Sequence, residues 1–205
     1  MITPEVTVAI QAGGRSSRMG QDKGLALLAG KPMIEHVLAQ VTGLGQEILI
    51  TTNNPDGYAY LGLPLAGDAE PGAGALPGLY TALSAAHGQT VLLLACDMPF
   101  LNRELLVYLL SLADQADVVV PYWQDQYQTM HAVYARDPVR AAVAAALARG
   151  QKRMIGFYDQ VRVRPVTAAE IASFDPDGLT FFNANTPAEL AAAEAIKQRA
   201  RSSNR

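Results

Sequence analysis

The sequence predicts an α/β chain: a Rossmann-like, three-layer fold around a mainly parallel sheet. Three observations carry that expectation. Short apolar runs at residues 6–10, 47–52, 90–96 and 117–121 alternate with stretches of helical period, the βαβ pattern whose crossovers require parallel strands. Thr90-Val91-Leu92-Leu93-Leu94-Ala95-Cys96 is the most continuously apolar run in the chain, as a central strand covered on both faces must be. Directly after the first run comes Ala12-Gly13-Gly14-Arg15-Ser16-Ser17-Arg18-Met19-Gly20-Gln21-Asp22-Lys23-Gly24. Glycines and cations together at a strand's C-terminal end are suited to cradling phosphate, and open α/β sheets bind ligands there.

In chain order, the loop is followed by residues 32–43, where Met33, Ile34, Val37, Leu38 and Val41 fall at helical spacing and Gly43 supplies the stop. Residues 47–52 read as a second buried strand, breaking at Asn53-Asn54-Pro55-Asp56-Gly57, and residues 63–68 as a short extended piece. After a glycine- and proline-rich stretch a helix is expected at residues 79–86, then the central strand. Asn102 can cap the next helix, with its stripe of Leu105, Leu106, Leu109 and Leu110. Beyond the strand at 117–121, residues 130–135 read as a strand. Asp137 as cap, Pro138 at the first helical position and Gly150 past the end bracket an alanine-rich helix. Residues 161–166 and 179–182 are two further strand candidates. Thr167–Glu170 and Thr186–Glu189 have capping-box spacing, and residues 199–205 are expected to form a frayed tail. The 205 residues are expected to form a single domain.

A formal charge of −3 provides no basic field for nucleic acid or an anionic membrane surface. No run approaches a membrane-spanning length, and Met1-Ile2-Thr3-Pro4-Glu5 lacks the basic start of a signal peptide. The lone Cys96 excludes a disulfide framework. A cytoplasmic protein is expected.

The glycine loop is neither a Walker A loop, since no Lys-Ser/Thr follows Gly20, nor a Gly-x-Gly-x-x-Gly fingerprint. Arg18 can fork onto two phosphate oxygens and Lys23 can act as a compact point charge, so the pair could hold phosphate groups. Asp97 follows the central strand, at the same sheet edge as the loop. Its hard oxygens suit Mg²⁺ shared with nucleotide phosphates; the structural alternative is a turn aspartate before Pro99. Asn53, at the end of the second strand, is a ribose or base contact or a turn former. Arg149, Lys152 and Arg153 cluster after a helix, either as a solvated helix end or as a site for an anionic group.

Ala-Gly-Gly-x-Ser-x-Arg-Met-Gly-x-Asp-Lys is similar to the signature loop of nucleotidyltransferases that activate sugars and cofactors, and the Arg-Met-Gly-x-Asp-Lys-Gly form resembles the molybdenum cofactor guanylyltransferases. The resemblance implies a nucleotide-diphospho-sugar-transferase-type fold, with 1–122 as the nucleotide-binding part and 123–205 as the acceptor-binding part and C-terminal helix, and transfer of GMP from GTP to molybdopterin. It implies Arg18, Lys23 and Asp97 as catalytic residues, with Asp97 the Mg²⁺ ligand. Gln11, Ala12, Gly13, Gly14, Lys23, Asn53, Asp68 and Asp97 would bind the nucleotide, with Asp68 able to accept from the two donors of guanine. Gln11 departs from the leucine usual there. Arg153 and the asparagines of Asn183-Ala184-Asn185-Thr186-Pro187 would face the acceptor, and so would His131, although a lone histidine on a strand is more commonly structural. Molybdoenzyme apoproteins or their chaperones are implied partners. Three alternatives stand beside this one: a cytidylyltransferase using CTP on the same pterin, a sugar-phosphate nucleotidyltransferase, which the short chain disfavours, and a non-catalytic protein that binds nucleotide and delivers the cofactor.

Overall fold

The structure, a computed structural model, describes residues 5–12, 22–67 and 74–203. Strand β1 (Val6–Gln11) leads, past the glycine loop, to a tight 3-10 turn at Lys23–Leu25 and the small antiparallel pair β2 (Leu27–Leu28) and β3 (Lys31–Pro32). Helix α1 (Met33–Val41), strand β4 (Glu47–Thr51), the single turn α2 (Pro55–Tyr58), strand β5 (Leu65–Ala66), helix α3 (Ala75–Ala85) and strand β6 (Thr90–Ala95) follow. Helix α4 (Arg103–Ser111), the hairpin of β7 (Val118–Trp123) and β8 (Gln126–Tyr127), strand β9 (His131–Ala135) and helix α5 (Arg136–Ala148) come next. Strand β10 (Val163–Val166), helix α6 (Ala168–Ala172) and helix α7 (Pro187–Ser203) complete the described chain.

The sheet runs β10-β7-β9-β6-β1-β4-β5. β6, β1, β4 and β5 are mutually parallel, as are β10 and β7, whereas β9 is antiparallel to both of its neighbours. Mostly parallel strands with helices on both faces are thus observed, and β6 lies at the middle with every residue buried. Pleating divides the core. Val6, Val8 and Ile10 face α1, α4 and α6, while Ala9 faces α3 and α5. The chain leaves β1 for β4 on one side and reaches β6 on the other, so the strand order reverses at β1. A ligand crevice belongs at the C-terminal ends of β1 and β6.

Four sequence expectations shift. α3 begins at Ala75 rather than 79, because Pro77 falls in the first turn, where its missing N–H costs nothing. α5 begins at Arg136, capped by Ala135, so Asp137 lies inside it. Its C-terminus is as expected: Gly150 takes φ 75°, and Gly150 and Gln151 donate to the carbonyls of Leu147 and Ala146, a Schellman closure. Residues 179–182 form no strand: Leu179–Phe181 is a 3-10 turn entered through Gly178 at φ 65°. A side chain at 178 would also meet the Trp123 ring. The tail is helical to Ser203, and α7 lays Ala193 and Leu190 on Ala26, Leu28 and Met33.

Candidate active site

Three residues far apart in sequence meet beyond the C-terminal end of β6. Asp97 follows that strand, 9% exposed, and its Oδ2 lies 3.3 Å from Lys23 Nζ. Lys23 Nζ also donates to Asn185 Oδ1. The segment bearing Asn185 is pinned in turn, because the Ala184 amide donates to the Asp97 carbonyl at 3.0 Å. The Thr186 hydroxyl and the Glu189 carboxylate start α7 reciprocally, and Glu189 also accepts the Asn185 amide at 2.8 Å. A capping motif visible in the sequence therefore sets the backbone of a residue that touches the lysine.

Lys23 opens the 3-10 turn capped by Asp22. Beneath it Cys96 is buried, and burial, reinforced by the Asp97 charge, pushes its thiol well up. It remains a neutral core group and not a nucleophile. Gln11 ends β1 in register with Thr51 of β4 and Ala95 of β6. Its side-chain amide packs against Gly78 of α3, where an added Cβ would lie 2.0 Å from Nε2. Gln11 Oε1 and Thr51 Oγ1 are both buried without a hydrogen-bond partner. Ala12 is buried, its amide donating to the Thr51 carbonyl. Asn53 is exposed just past β4, on the same sheet edge.

Gly13, Gly14, Arg18 and Asp68 lie outside the described residues. Asn183 is half-buried, its side-chain amide donating to the Phe181 carbonyl at 2.9 Å. Arg153 is exposed on the turn after α5, where Gln151 Oε1 accepts the amides of Lys152 and Arg153. His131, which the resemblance implied on the acceptor side, is wholly buried on β9 against the Phe181 ring, and neither ring nitrogen has a hydrogen-bond partner. Burial lowers its pKa to about 3. It is a neutral core histidine beneath the segment that carries Asn183 and Asn185. Sequence reasoning did not single out Asp22 or Tyr58. Asp22 stood in the signature loop without an assigned role, and nothing local marks Tyr58.

A sheet reversing at β1, with a cation and a carboxylate held together at its C-terminal edge, has the architecture of nucleotide-transferring α/β proteins. Residues 8–163 match the MobA-like NTP transferase domain. The chain is 35% identical over 188 residues to a probable molybdenum cofactor guanylyltransferase of Carboxydothermus hydrogenoformans, covering 90% of this chain and 92% of the relative. A second relative of the same description, from Pelotomaculum thermopropionicum, is 34% identical and covers 96% of each chain. Among solved structures, molybdopterin-guanine dinucleotide biosynthesis protein A of Archaeoglobus fulgidus superposes with a TM-score of 0.81 at 26% identity, covering 94% of this chain and 99% of that one. The protein belongs to the MobA-like NTP transferase family and is a nucleotidyltransferase. Among the described residues, no helix is long and apolar enough to cross a membrane.

Proposed function

We propose that the protein transfers GMP from GTP to molybdopterin, forming the guanine dinucleotide cofactor and pyrophosphate. The observation that carries this reading is the meeting of Lys23, Asp97 and Asn185 at the reversal point of the sheet, in a chain whose relatives are described as molybdenum cofactor guanylyltransferases. An oxygen of the pterin's terminal phosphate attacks the α-phosphorus in line, and the bond from that phosphorus to the pyrophosphate oxygen breaks. No covalent enzyme intermediate is required, in keeping with the buried thiol of Cys96. Lys23, joined by Arg18 from the glycine loop, neutralises charge gathering on the leaving pyrophosphate.

Among the described residues, no three His, Cys, Asp or Glu side chains gather to hold a metal. One carboxylate, Asp97, with the Asn185 amide oxygen nearby is the sparse oxygen set that suits Mg²⁺, which completes its shell from phosphates and water. Asp97 and Asn185 would hold Mg²⁺, which when bound would supply neutralisation of phosphate charge. Gln11, Ala12, Asn53 and, in the glycine-rich stretches, Gly13, Gly14 and Asp68 hold the nucleoside. Arg153, Asn183 and Asn185 face the pterin. The reading assigns the reaction to the cytoplasm and its product to molybdoenzyme apoproteins or their chaperones.

Incubation with molybdopterin and each radiolabelled nucleoside triphosphate tests this. GMP incorporation that chelation of Mg²⁺ abolishes is expected. CMP incorporation in its place overturns the choice of base, and nucleotide binding without incorporation overturns the catalytic reading.

A further inference from the structure

Lys23 does not reach Asp97 unaided. The residue before it, Asp22, gathers donors from three places. Its Oδ1 accepts from the Tyr58 hydroxyl at 2.5 Å and the Gly24 amide at 3.1 Å, and its Oδ2 faces Asn54 Nδ2 at 3.4 Å. Capping a three-residue turn needs one acceptor oxygen. The second oxygen and the buried phenol exceed that need.

The approach is tight on both sides. A Cβ on Gly24 would stand 2.4 Å from the Tyr58 hydroxyl oxygen and 3.1 Å from Cys96 Sγ. One on Gly57 would stand 2.5 Å from Asn54 Nδ2 and 3.0 Å from Leu25 Cδ1. Two glycines thus let α2 and the 23–25 turn close on one carboxylate. Tyr58 has no solvent exposure, and burial holds its phenol far above its ordinary pKa. It stays protonated, so toward Asp22 it acts only as a donor. Asn54, which caps α2 through Gly57, follows directly on Asn53 at the end of β4. The carboxylate therefore links the lysine's turn to the strand end expected to contact the nucleoside.

We propose that Asp22, locked by the Tyr58 hydroxyl and Asn54, is the positioning residue that aims Lys23 at the nucleotide's phosphates. This rests on the nucleotidyl-transfer reading above. Tyr58 touches no substrate and acts through Asp22 alone. Without its hydroxyl, Asp22 keeps the Gly24 cap but loses its anchor to α2, and the turn beneath Lys23 can rotate.

A double-mutant cycle of Tyr58→Phe with Lys23→Ala provides the test, since phenylalanine keeps the ring in its packing and removes only the hydroxyl. Tyr58→Phe is expected to lower kcat/KM for GTP roughly tenfold in the wild-type background and to change it less than about twofold once Lys23 is alanine. Its effect on the thermal midpoint should be equal in the two backgrounds. An equal factor in kcat/KM in both backgrounds would overturn the proposal, because a merely structural role adds independently. If the wild-type protein transfers no GMP, the same four proteins are compared by calorimetric affinity for GTP. There the coupling must still appear, and additive losses overturn the positioning role separately from the transfer reading.

Discussion

At the scale of single residues, the site shows how a polar group is tolerated in a packed sheet. Lys23 and Asp97 satisfy each other, with side-chain exposures of 23% and 12%, so neither charge is stranded. His131 has no such partner. An imidazole enclosed with two unpaired nitrogens forfeits hydrogen bonds that water would supply. We therefore expect His131→Leu to be neutral or stabilising by about 1 kcal/mol at pH 7. The pH sign is definite. The unfolded histidine takes up a proton near 6.5, whereas the folded one resists until about 3. The resulting proton-linked penalty on the fold is absent above 6.5 and grows as pH falls toward 3. Urea denaturation at several pH values should show a shallower acid loss in His131→Leu, and an unchanged slope would refute the assignment. The sequence suggested a structural histidine as the commoner case. Only the packing of Phe181 across the ring decided it, since that contact spans residues 50 apart in the chain.

Among the elements, α6 shows what local pattern reveals and what it hides. Its capping box was legible in Thr167 and Glu170, and both reciprocal bonds are present. Hidden was the wider use of Glu170, which accepts from Arg164 Nη2 at 2.5 Å on β10 and from the Tyr108 hydroxyl at 2.7 Å on α4. Arg164 first, then the Thr167 amide, holds the Glu170 carboxyl far below its ordinary 4.5. A depressed carboxylate stabilises the fold fully above its unfolded value and loses that contribution as pH falls toward the folded one. Glu170→Gln should thus cost about 1–2 kcal/mol at pH 7, discounted for partial exposure. The gap from wild type should close as pH falls below about 4, which denaturation at paired pH values checks. Two of the shifted elements have separate causes. The 3-10 turn at Leu179–Phe181 has a strand's apolar composition, but its preceding glycine and the Trp123 ring dictate another path. α3 extends over Pro77 because a first-turn proline does not break a helix.

In the whole molecule, the parts at 1–122 and 123–205 interleave, with β9 inserted between β6 and β7. Breaking either part exposes strand edges of the other, so we expect one thermal transition by both far-ultraviolet and near-ultraviolet circular dichroism. Two separated transitions would show that the halves are independent. The sequence by itself determined the α/β class, the buried central strand and the signature loop, together with the residue types of the candidate phosphate site. Periodicity, composition and glycine placement are local properties that survive without coordinates. Tertiary structure alone decided that Asn185 joins Lys23 and Asp97, that His131 is core, and that Asp22 and Tyr58 stand behind the lysine. Those contacts join Lys23 to residues 74 and 162 positions away, and their geometry arises only when the helices and the sheet pack together.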